Sequence, residues 1–97
     1  MQDKYTGSEV TIALMDNGYI PQSLNGFSEE ELLNIIYKRY RGEINIVHRD
    51  RLNGFVAFYH EEEIFNSTNF NPACSREDAL GSLLLILDKK DKEIQDL

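Results

Sequence analysis

The stretch from Glu43 to Phe65, "EINIVHRDRLNGFVAFYHEEEIF", leaves this chain few folds to choose from. It is dense in β-branched and aromatic residues and is broken by Asn53-Gly54, the strongest short-range signal for a β-hairpin. Amphipathic helical patterns stand on both sides of it. A hairpin set between helices, in 97 residues, predicts one small α+β domain with helices covering one face of an antiparallel sheet. The predicted order is α-α-β-β-(β)-α, the bracketed element being a short third strand around Ile64 to Asn66. The domain spans residues 1–97, with 1–7 frayed.

Register decides which side chains of the hairpin enter the core, because a slip of one residue turns every side chain over. A two-residue turn would pair Arg49 with Phe58 and mix the faces. A three-residue loop, Leu52 to Gly54, pairs His48 with Phe58 and Asp50 with Val56. It puts Ile44, Ile46, His48, Val56, Phe58 and His60 on one face and Asn45, Val47, Arg49, Ala57, Tyr59 and Glu61 on the other. The second register separates the strongest hydrophobes better and is the one expected.

The helices carry their own boundary signals. Thr6-Gly7-Ser8-Glu9 fits a capping box for a first helix over 8–17, ended by Asn17-Gly18. Residues 18–27 read as a connector. Ser28 with Glu31 forms a second capping box for a helix over 29–41. Its Leu32, Leu33, Ile36, Tyr37 and Tyr40 recur at helical spacing, with acids in its first turn and bases in its last. Ser75 caps the last helix, whose stripe is Leu80, Leu83, Leu84, Ile86 and Leu87. Leu85 and Ile35 point off their stripes, which leaves two readings open: packing within the chain, or a homodimer or partner surface.

Several function classes lose ground here. No apolar run approaches the roughly 18 residues that cross a bilayer, and the opening stretch "MQDKYTGSEV" lacks the basic start and apolar centre expected of a secretory signal. A single cysteine, Cys74, excludes an internal disulfide and fits a reduced cytoplasmic setting. The net charge of −7 repels phosphate backbones and argues against direct binding of nucleic acid. No phosphate loop, dinucleotide fingerprint or nucleophile elbow is present. The expectation is therefore a protein that is not an enzyme and needs no cofactor.

The run His60-Glu61-Glu62-Glu63 is the most concentrated chemistry in the chain. His48, His60 and Glu62 would make a marginal ligand trio, and a metal needs at least three convergent ligands. Glutamates at a strand end are expected to be wet, so no metal is expected, and the run reads as an acidic sheet rim. Glu61, Glu62 and Glu63, with Asp50 and Tyr59 nearby, are the expected partner-binding residues. Arg39, Arg41, Arg49 and Arg51 form an alternative set that could hold phosphates of a nucleotide at a subunit boundary.

The segment "NFNPACSREDALGSLLLIL", with Pro72, Ser75, Asp78 and Ala79 before an apolar helix, is similar to part of the small phage-encoded ABA sandwich domain family. The likeness covers about a fifth of the chain. The acidic α+β arrangement more loosely resembles anti-CRISPR inhibitors, which occupy nucleases where DNA would lie. These resemblances imply a protein of phage or mobile-element origin. Its partner would be a host defence enzyme that handles nucleic acid, met in the host cytoplasm.

Overall fold

The computed structural model describes residues 5–60, 64–66, 73 and 75–95. Three helices, α1 (Ser8–Asp16), α2 (Glu29–Arg39) and α3 (Arg76–Gln95), accompany strands β1 (Glu43–Arg49), β2 (Gly54–His60) and β3 (Ile64–Asn66). The strands form one antiparallel sheet in the order β1-β2-β3. The class is α+β, with the helical layer on one face of the sheet. Among the described residues no helix is long and apolar enough to cross a membrane.

α3 is the centre of the packing. Each of the other helices and strands packs against it. Its Ala79, Leu80, Leu83, Leu84 and Leu87 meet Leu14 of α1, Leu32 and Ile36 of α2, and Ala57 and Tyr59 of β2 in one buried cluster. Gly81 lets α1 come close, since a Cβ there would stand 2.5 Å from Val10 Cγ1. Phe27, from the connector, is fully buried in the same cluster. Ile35 and Leu85 are half-buried against it, so both pack within the chain.

Side-chain caps hold two of the three helix starts. Ser28 Oγ accepts from Glu31 N, and Ser75 Oγ accepts from Asp78 N. The first helix starts differently from the expected capping box. Its N-cap is Gly7, with no side-chain cap bond. Thr6 is instead buried, and its hydroxyl accepts from Phe27 N and bonds the Thr11 hydroxyl. Gly7 N donates to Asp78 Oδ1 on α3 at 2.7 Å. Thr6 and Gly7 are therefore tied into the fold rather than frayed, and residues 1–4 lie outside the described residues.

The hairpin register also differs from expectation. Ile44 faces Tyr59, Ile46 faces Ala57, and His48 faces Phe55. The connection runs from Asp50 to Asn53: a 3-10 turn over Asp50–Leu52, then Asn53 in the left-handed region at φ 52°. Gly54 is not a turn residue; it opens β2. Four loop residues instead of three change the parity of the pairing, and β2 turns over. Ala57 and Tyr59 thus enter the core, while Val56, Phe58 and His60 join Asn45, Val47 and Arg49 on the opposite face.

Candidate binding surface

The sheet face turned away from the helices is the first candidate site. Asn45, Val47, Arg49 and His60 are exposed on it, Phe58 is half-buried, and Val56 is buried at 7% exposure. The Arg49 guanidinium stands 5.7 Å from the Phe58 ring centre, within cation–π range. A shallow depression of about 400 Å³ is lined by Asn45, Ile46, Val47, Phe58 and His60. An aromatic ring and an arginine on paired strands are residue types enriched in protein interfaces.

The expected site residues are distributed differently from the sequence reading. Glu61, Glu62 and Glu63 lie outside the described residues, as does Cys74. They follow His60 directly in the chain. Tyr59 is not a surface residue: it is 3% exposed, and its hydroxyl accepts from Gly42 N at 2.8 Å. Asp50 is exposed but sits at the turn, with Oδ1 2.8 Å from His48 Nδ1. His60 faces Glu43 at the other end of the hairpin. Six strand steps separate the two ends, about 20 Å. Asp50 thus lies at the opposite end of the hairpin from His60.

The arginines are split in the same way. Arg39 and Arg41 precede β1, whereas Arg49 and Arg51 lie at its far end, so one subunit does not gather all four around a phosphate. His48 and His60 occupy opposite faces and opposite ends of the hairpin, which separates two of the three residues considered for a metal trio. Among the described residues no group of His, Cys, Asp or Glu could hold a metal ion.

A second cluster was missed in the sequence. Asp88 of α3 is 6% exposed and accepts from the hydroxyls of Tyr19 and Tyr40, both at 2.5 Å. Arg39 donates to the Tyr19 hydroxyl at 2.7 Å and lies 3.4 Å from Asp88 Oδ1. Its guanidinium is 5.7 Å from the centre of each tyrosine ring. The cluster joins the connector, the end of α2 and α3 through one carboxylate. Asp88 stands four residues after Leu84, on the buried stripe. A carboxylate at a stripe position requires donors from elsewhere in the chain, and that was the available signal.

The tyrosines of this cluster predict an alkaline transition. Partial burial, then the bond to Asp88 and its charge, push both phenols well above the ordinary tyrosine range, while Arg39 pulls the other way. A folded-state value raised above the unfolded one adds stability that is full below about pH 10 and is lost as pH rises further. Phenolate absorbance should therefore show Tyr19 and Tyr40 ionising together with loss of structure above pH 10. Two tyrosines titrating at ordinary pH in a chain that stays folded would contradict the assignment.

No family model, curated protein or solved structure matches the chain.

Proposed function

We propose that this chain is a non-enzymatic binding protein that docks a basic protein surface through the open sheet face and the acidic run that follows it. The observation that supports this most is the pairing of Phe58 and Arg49 beside exposed Val47 on the sheet face opposite the buried helical cluster. Such a face offers an apolar centre, and Glu61–Glu63 continue the chain from His60 at its margin. The net charge of −7 favours a cationic partner and speeds encounter with it. A cleft built for DNA or RNA is a surface of that kind. The proposed target is accordingly a host defence enzyme that handles nucleic acid, inhibited in the cytoplasm by occupation of that cleft, the chain being of phage or mobile-element origin.

The test is affinity capture from a bacterial host lysate, followed by binding measurements with the retained protein. Binding should weaken with added salt, as expected for surface charge pairing. Reversing Glu61, Glu62 and Glu63 to lysine should remove it while the fold is kept, and Phe58→Ala should weaken it at any salt. Retention of the same partner at the same affinity by both variants would remove this surface from the mechanism.

A further inference from the structure

We propose that β1 pairs with β1 of a second copy of this chain, joining two three-stranded sheets into one of six strands. Among the described residues β1 is an edge strand, paired only with β2. Edges are commonly blunted by brevity, proline, a bulge or a charge in mid-strand. The other edge, β3, has three residues and is blunted by its length. β1 has seven residues in unbroken register with β2, and its sequence, EINIVHR, contains no proline and no lysine. Its formal charges stand at its two ends and are opposite in sign, Glu43 and Arg49.

Symmetry then fixes the register. A two-fold axis normal to the sheet relates antiparallel edges and keeps each face with its own kind, so odd residues meet odd residues. Centred on Ile46, the pairing sets Glu43 opposite Arg49 of the other copy twice. Asn45 meets Val47, and Ile46 meets itself. Centring on Asn45 leaves Arg49 without its opposite charge, and centring on Val47 does the same to Glu43. Parallel pairing in register would set Glu43 against Glu43. The antiparallel register centred on Ile46 satisfies both ends.

The apolar surface agrees with this pairing. Ile44 and Ile46 lie on the core face yet are only half-buried, because the helical layer sits chiefly over β2. In the joined sheet these four isoleucines form one strip between the two helical layers. Val47, an exposed hydrophobe, gains a cross-strand neighbour on the other face. The inference stands apart from the docking of a basic partner and does not need it.

Sedimentation equilibrium of the full chain tests it. The wild type should approach twice 11.2 kDa as concentration rises towards about 1 mM. Glu43→Arg and Arg49→Glu each place like charges opposite one another at both ends, and each should weaken association about tenfold or more. An equimolar mixture of the two variants restores both opposite-charge pairs and should dimerise as the wild type does. A wild type that stays monomeric throughout overturns the proposal, as does a mixture no stronger than its separate components. Should a charge variant fail to fold, Asn45→Cys and Val47→Cys chains, each also carrying Cys74→Ser, supply the readout. Directly opposed residues lie within disulfide reach. The mixed chains should therefore cross-link on oxidation, and failure to do so counts against the register.

Discussion

Replacing Asp88 with alanine should destabilise the protein by about 3 kcal/mol, a large share of what a domain of this size possesses. The carboxylate is nearly buried and accepts two phenol hydrogen bonds, with Arg39 beside it. Removing it leaves two partly buried hydroxyls and one guanidinium without their shared acceptor, and each must find water or go unsatisfied. Asp88→Asn keeps the shape and one acceptor oxygen and should lose less. Tyr19→Phe and Tyr40→Phe remove single bonds to the same carboxylate, so their effects should be non-additive in a double-mutant cycle. Urea unfolding gives each value. A loss below about 1 kcal/mol for Asp88→Ala would mean that the cluster merely fills space.

Gly42→Ala should be nearly as damaging, by roughly 2 kcal/mol, or about 10 °C in Tm for a domain this small. A Cβ at this buried glycine would stand 2.4 Å from Cε2 and Cζ of Tyr59 and 2.8 Å from the carbonyl oxygen of His60. Neither neighbour yields readily. The His60 carbonyl belongs to β2, and the Tyr59 ring packs edge-on against Tyr40 at 6.1 Å while its hydroxyl accepts from Gly42 N. Tyr59→Phe removes the acceptor of the Gly42 N hydrogen bond without adding a clash and should cost about 1 kcal/mol. If Gly42→Ala proves milder than Tyr59→Phe, the close approach is not what holds this corner. Thermal unfolding of both variants decides it.

What was legible in the sequence follows from how local each signal is. α2 and α3 could be read because Ser28, Ser75 and stripes such as Leu80-Leu83-Leu84-Leu87 act within a few residues. The α+β class followed from a hairpin standing between such helices. The register could not be read in the same way. Phe55, Val56, Ala57, Phe58 and Tyr59 are all apolar, so alternation gives β2 no preferred side. The pairing was settled by Asn53 adopting a left-handed conformation inside a four-residue loop, a choice the dipeptide Asn-Gly does not announce. That single step moved Tyr59 from the expected contact surface into the core. The Asp88 cluster was hidden for a different reason. Its members at 19, 39, 40 and 88 are remote in sequence, and Asp88 is followed directly by the charged residues Lys89, Lys90, Asp91 and Lys92.

The position of α3 bears on the order in which this molecule can come into being. During synthesis α1, α2 and all three strands leave the ribosome before the helix they bury against exists. The hairpin, whose partners are near neighbours, can form early, because closing a short loop loses little entropy. Leu14, Phe27, Leu32 and Ile36 have no apolar wall until Leu80 to Leu87 arrive. The nascent chain thus carries its future core exposed until α3 is made, and that helix acts as the keystone that turns a string of elements into a folded domain.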